Sequence, residues 1–436
     1  MAMTGAGDLH VTSSTDEPHI ALSYHLDMVE TRPIVFLGAS YAGLSASHYF
    51  LKHVYPHLPN EPEVQYKAIL VDPSTKWFTR HAAPRAIIKE ELMPTNLIFH
   101  DIEAGYKQYG DKVEFLQGRA TAWDESARTM SIQKANGESQ TIAYWALILA
   151  TGTKATSPLF SLQGTPHTEV ESAIRGMRGR LASAKDIVIA GGGPAAVESA
   201  GEIGDFLNGA AGWFSSRPFH PKAKITLITS SSKLLPQLRQ SLSDQAEKFL
   251  NRVGVDVRYN TKVYSNVALG DGKTKVILHD GEELETDIYI PAMGVKPMSG
   301  YVPDHLKNDK GYVVQNDSTL RIDAAGPRVY AIGDIGTYSN DGIMEIINGV
   351  PVMETNLKRD LLAAHSDPNG EPEGEDRLYV REEREMQIVP VGRSRGVGAV
   401  FGWRVPSILV WLIKGRDFMT SKAHEYVSGE AVKKEA

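Results

Sequence analysis

The chain contains no cysteine among its 436 residues. That absence excludes structural disulfides, thiolate metal sites, iron–sulfur clusters and any Cys-x-x-Cys redox pair. It fits a reducing compartment such as the cytoplasm. Long hydrophobic runs are missing too. No stretch approaches the roughly 20 apolar residues needed to cross a bilayer, so a soluble or peripheral protein is expected. The start of the chain carries acids (Asp8, Asp16, Glu17) and has neither a signal-peptide core nor transit-peptide character. Ala2 excludes myristoylation. Residues 1–31 read as a flexible N-terminal arm. Basic clusters are lacking as well, and a net charge of −7 argues against nucleic acid as a partner. What remains is an ordinary globular composition, 42% apolar and 23% charged, long enough for two or three domains.

The stretch that organises the rest is Ile34–Gly43, IVFLGASYAG. Four apolar residues in a row predict a buried parallel strand, Gly38 a tight turn, and the small residues from Ala42 onward a helix. Strand, glycine turn and helix form the context of a dinucleotide-binding fingerprint, with a pyrophosphate on the free N–H groups at the helix start. Gly43 lets the helix pack close to the strand. Ser40 stands where the second glycine belongs, small enough for close approach and with a hydroxyl to offer a phosphate. A second strand, Tyr66–Val71, ends at Asp72, placed to accept from a ribose hydroxyl. The interval from Gly38 exceeds the roughly 20 residues usual because Pro56, Pro59 and Pro62 interrupt it. In the loop beyond, Arg85 can face a pyrophosphate. Residues 113–133 read as a β-meander, and Leu147–Ala150 as another buried strand whose Ala-Thr-Gly end (Thr151, Gly152) lets backbone approach a nucleotide.

A second fingerprint follows. Asp186–Ala190 is the strand, Gly191, Gly192, Gly193, Pro194, Ala195 and Ala196 the turn, and Val197 onward the helix with Glu198 and Glu202 in it. Two such motifs in one chain predict two stacked nucleotide-binding domains. The partner strand Lys224–Ile228 runs into Ser230 and Lys233 with no acid at its end. An acid there would bind the free ribose of NADH and repel a 2′-phosphate, so the sequence leans to NADPH with NADH still open. Strand Ile288–Ala292 ends at Gly294. Strand Val329–Gly333 delivers Asp334, positioned in a flavin domain to meet the ribityl chain, with the next helix aimed at the isoalloxazine. Residues 366–386 are acidic and rich in Pro and Gly, and read as a solvated loop. In the tail, Val405–Lys414 (VPSILVWLIK) has two readings: a core or dimer helix, or interfacial membrane contact through Trp403, Leu409, Trp411 and Leu412.

Taken together, GASYAG, ILATG, GGGPAAVESAGE, VYAIGD and the tail PVGRSRGVGAVFGW…WLIKGRDF are similar to the apoptosis-inducing-factor-like, mitochondrion-associated (AMID, ferroptosis-suppressor) family. Type II NADH dehydrogenases are more distant relatives. The resemblance spans about residues 32–425. It implies an α/β fold of two Rossmann-like domains plus a small C-terminal α+β domain: FAD-binding over 32–155 and 283–350, NAD(P)H-binding over 156–282, and the C-terminal domain over 351–436. It implies FAD held by Gly38, Ser40, Tyr41, Ala42, Gly43, Arg85, Ala120 and Asp334, with Asp72 at the ribose. Glu198 and Glu202 match the nicotinamide-side glutamates, with Glu198 as the candidate catalytic residue, orienting the nicotinamide or relaying a proton. The alternative for Glu198 is a carboxylate bonded to local backbone N–H groups. The implied activity is two-electron reduction of a quinone-like acceptor by NADPH or NADH, with no metal. One segment departs from the family: Gly342-Ile343-Met344, with Glu345 and Asn348, stands where members carry Lys or Gln. A tailoring flavoprotein acting on a small organic intermediate is therefore an alternative reading, and the apoptosis-inducing-factor resemblance suggests another, a slow redox-responsive interaction protein that dimerises.

Overall fold

The computed structural model describes residues 29–433 apart from Trp213, Asn340 and Asp341. Residues 1–28 of the expected arm lie outside the described residues, and the chain enters its first strand at Glu30. Strand Glu30–Leu37 is an inner strand of a seven-stranded sheet. Its order runs Val329–Ala331, Ala146–Leu149, Glu30–Leu37, Val64–Asp72, Val113–Asp124, Thr129–Lys134, Ser139–Ala143. The first five strands are parallel, and the segments Ile34–Leu37, Ala146–Leu149 and Val329–Ala331 are buried on both faces, which is why these read as apolar runs. Helix α1 (Tyr41–Tyr49) and the short α2 (Ala83–Ala86) follow the first two strands.

The second unit carries α3 (His167–Leu181), α4 (Pro194–Leu207) and α5 (Gln240–Asn251) against four parallel strands ordered Val255–Arg258, Lys224–Ile228, Asp186–Ala190, Ile288–Pro291. The expected boundary at residue 283 is too early. Ile288–Pro291 pairs in parallel with Asp186–Ala190, because its buried Ile288 and Ile290 complete this second sheet rather than the first. Two crossing segments, Thr153–Ala155 leaving and Val295–Pro297 returning, pair antiparallel between the units.

Helix α6 (Ile343–Ala363) returns across α1. The loop after it is not simply solvated. Arg321 and Arg359 grip Asp376, and Arg328 donates to the Pro368 carbonyl at 2.9 Å. A three-stranded antiparallel sheet (Gln387–Val391, Arg395–Val400, Trp403–Arg404) then packs on α4 and α5, followed by α7 (Ser407–Val410) and α8 (Ala423–Val427). Among the described residues no helix is long and apolar enough to cross a membrane.

Candidate active site

The first turn is built by contact rather than by preference alone. Gly38 has φ of +102°, and a Cβ there would meet the Ala150 carbonyl oxygen at 2.5 Å. A Cβ on Gly43 would lie 1.7 Å from the Gly38 carbonyl oxygen, so only glycine lets α1 start this close to the strand. Ser40 is the N-cap of α1 and makes no capping hydrogen bond through its side chain. The hydroxyl and the first-turn N–H groups are therefore available to an anion.

These groups open on a cavity of about 530 Å³, within the usual range of ligand sites. Gly38, Ser40, Tyr41, Ala42, Asp72, Ala120, Thr151, Gly152 and Asp334 all line it. Buried Asp72 accepts from the N–H of Ala39 at 2.7 Å and of Ser74 at 2.8 Å, so it fastens the turn while facing the cavity. Burial raises its carboxyl to about 6, against those two hydrogen bonds. Asp334 is paired with Arg80 at 2.9 Å, and Ile346 in the first turn of α6 joins the wall. The wall also holds Arg80, Arg119 and Lys154. No motif marks these cations in the sequence; they converge only through folding. A helix start and two strand-end carboxylates on one cavity wall suit an adenine dinucleotide. The residues present fit FAD.

Arg85 is a correction. It does not line the cavity; it is buried in α2, where Nε and Nη2 donate to Glu202 at 3.0 and 2.8 Å and Nη1 to the Arg416 carbonyl at 2.9 Å. Its guanidinium also stacks on Phe418, 4.6 Å from the ring centroid. A cation this buried is stable only beside a carboxylate, and α4 supplies one. Glu202 is thereby committed to Arg85 rather than open to a nicotinamide.

One turn earlier on α4, buried Glu198 accepts from Lys414 Nζ at 2.6 Å and not from local backbone N–H groups. Burial pushes its carboxyl up to about 7, with Lys414 opposing. Sequence reasoning missed Lys414, hidden in an apolar stretch. There α7 passes into a wider π-helical turn, Trp411–Gly415, in which Lys414 faces inward while Leu412 and Ile413 face out. His81 was also missed. Its Nδ1 shares a 2.5 Å hydrogen bond with the Tyr41 hydroxyl on the cavity wall. Burial, then the nearby charges of Lys414 and Arg80, hold it down to about 3, so it is neutral at pH 7.

Gly191, Gly193, Pro194 and Ala195 form the turn into α4, and Gly193 is its N-cap, again without a side-chain cap. The neighbouring strand ends beside it, with Ser230 exposed. Lys233 donates to the Leu238 carbonyl at 2.6 Å, which holds its ammonium against the loop. Gly294 (φ +67°) lies in the returning crossover, away from the first cavity. At the start of α6, Ser339 bonds Glu345 at 2.9 Å and Asp334 at 3.3 Å, which puts an acid at the departing segment.

Comparison with known proteins agrees with this arrangement. Residues 32–351 match the family model described as pyridine nucleotide-disulphide oxidoreductase. The oxidoreductase phnG of Penicillium herquei is 43% identical over 393 residues, covering 88% of this chain and 93% of that one. Ferroptosis suppressor protein 1 of Xenopus laevis is 23% identical over 411 residues, covering 90% and 95%. Among solved structures, NDH2 of Plasmodium falciparum in complex with NADH superimposes with a TM-score of 0.60 at 14% identity, covering 90% of this chain and 98% of that one. The chain belongs to the pyridine nucleotide-disulphide oxidoreductase family and is an oxidoreductase that uses FAD and NAD(P)H, with ferroptosis suppressor proteins among its distant relatives.

Proposed function

We propose that this oxidoreductase passes two electrons from NAD(P)H to a quinone-like, conjugated small molecule. The observation that carries the reading is the absence of cysteine in a chain of this family. No dithiol relays the electrons, so they leave directly to a diffusible acceptor. The cavity lined by Gly38, Ser40, Asp72 and Asp334 would hold FAD, which would supply the hydride-accepting and electron-pair-donating chemistry.

The chain's own share is positioning and proton supply. Turning a quinone into a quinol takes two electrons and two protons: the hydride brings both electrons and one hydrogen, and solvent supplies the other proton. Glu198, half protonated near pH 7, and Lys414 hold a proton between α4 and the C-terminal segment. Tyr41 and neutral His81 share a hydrogen bond on the cavity wall, close enough to Lys414 for its charge to act on the imidazole. Ser230, without an acid beside it, leaves NADPH acceptable as donor.

The test is anaerobic mixing of the holoprotein with NADPH or NADH, followed by a panel of benzoquinones and naphthoquinones. Rapid bleaching of the flavin and its reoxidation by quinone above the oxygen background is expected. Fast bleaching with no quinone turnover favours the second reading, a tailoring enzyme for a different small molecule. That reading is supported by the segment Gly342–Ile347, with Glu345 in it, standing where the resemblance implies Lys or Gln.

A further inference from the structure

The C-terminal unit turns an apolar face away from the core. Of the eighteen large hydrophobic side chains exposed among the described residues, six fall between Phe401 and Ile413. They are Phe401, Trp403, Ile408, Leu409, Leu412 and Ile413, with Trp403 80% and Ile408 65% exposed. The usual helix pattern is inverted: Val410 and Lys414 point inward and the apolar pairs 408–409 and 412–413 outward. Only Val410 meets the core-helix expectation for this stretch, and Trp411 is half-buried against Gly415. A cluster of this kind marks a contact surface rather than scattered exposure.

Charge selects the occupant. Between Met386 and Lys422 the chain carries Arg393, Arg395, Arg404, Lys414, Arg416 and Lys422 against the single acid Asp417, in a protein of net charge −7. Lys414 is turned inward to Glu198; of the other five, all exposed, Arg393 pairs with Asp205, Arg416 with Asp417 and Lys422 with Glu425, which leaves Arg395 and Arg404 as the cations without an acidic partner among the described residues. A symmetric pairing of two copies would set this basic face against itself, and like charges would oppose it. An anionic bilayer surface answers both features, taking the apolar side chains at its interface and the basic ones at its headgroups.

We infer that residues 401–413 dock the protein peripherally on anionic lipid membranes. Docking on this face involves neither the nucleotide turns nor the identity of the acceptor.

The experiment is flotation of the full-length holoprotein with vesicles of phosphatidylcholine alone, or of phosphatidylcholine with phosphatidylserine. Binding to the mixed vesicles is expected to be about tenfold tighter or more, and to weaken as salt rises. Ile408→Ser with Leu412→Ser should lower binding to the mixed vesicles about tenfold. Arg395→Glu with Arg404→Glu should remove only the preference for phosphatidylserine. Both doubles should keep the flavin spectrum and turnover with a water-soluble acceptor, which separates lost docking from misfolding. No flotation with mixed vesicles at low salt, or flotation that neither double changes, overturns the inference. A concentration-dependent dimer abolished by Ile408→Ser with Leu412→Ser assigns the face to a second copy and overturns it as well. Quinone turnover is not the readout, so failure here and failure of the acceptor assignment are distinguishable.

Discussion

At Gly43 a single methyl group is too large. The clash with the Gly38 carbonyl can be relieved only by moving the turn that faces the cavity. Gly43→Ala should therefore shift that turn at a cost of about 2 kcal/mol, weakening FAD roughly thirtyfold; the flavin-to-protein ratio after dialysis measures it. Glu198 makes a second residue-scale prediction. Its folded-state value near 7 lies above the 4.5 of a free glutamate. The native state thus binds more protons between those values, and this group's contribution to stability falls as pH rises from 4.5 to 7, then levels off. As a proton donor it must be protonated, so acceptor reduction should decline above pH 7. Glu198→Gln should flatten the stability slope, read from denaturation midpoints at pH 5 to 8, and remove the decline in the rate profile. If the variant's flavin bleaches at the wild-type rate and affinity, Glu198 plays no part at the nicotinamide.

At the scale of elements, α6 holds an anomaly. Glu354 is fully buried on it, neither carboxyl oxygen has a hydrogen bond, and burial drives its pKa well upward. A protonated, unsatisfied carboxyl costs about 1–3 kcal/mol. Glu354→Leu should recover about 1 kcal/mol or more of that, with the gain larger at pH 8 than at pH 5, as seen in chemical denaturation. The segment after α6 behaves in the opposite way. Its acids look like a solvated loop in sequence, but Arg321 spans buried Asp360 at 2.7 Å and Asp376 at 2.6 Å and straps the loop down. Arg321→Leu leaves Asp360 unneutralised and should cost about 3 kcal/mol. Limited proteolysis should then cut first within residues 366–376.

For the molecule as a whole, α4 is the common anchor. Two of its three carboxylates, one turn apart, receive one cation from each of the other parts: Glu202 takes Arg85 from the FAD-binding unit, and Glu198 takes Lys414 from the C-terminal unit, while Asp205 takes the more exposed Arg393. The first two pairs are desolvated, so breaking one strands a buried charge. Arg85→Met should lower stability by about 3–5 kcal/mol. It should also slow flavin reduction by NAD(P)H more than it weakens FAD, because the guanidinium ties the two nucleotide units together and does not touch the cavity. Rapid-mixing traces beside a flavin titration separate the two effects.

The local devices were legible in the sequence because chemistry and spacing coincide there. The strand at Ile34–Leu37, the glycines at 38, 43 and 191, and the strand-end acids Asp72 and Asp334 each belong to a strand–turn pattern that spans only a few residues, although Gly38 meets Ala150 and Asp72 meets Ala39 only in the fold. The lack of cysteine needed no structure at all. Tertiary structure alone decided the partners of buried charge. Nothing near Arg85 in sequence predicts Glu202, and nothing in VPSILVWLIK predicts that its lysine turns inward while its leucines face out. Such pairings are set by desolvation: a charge removed from water takes whichever opposite charge the packing of distant segments brings to it.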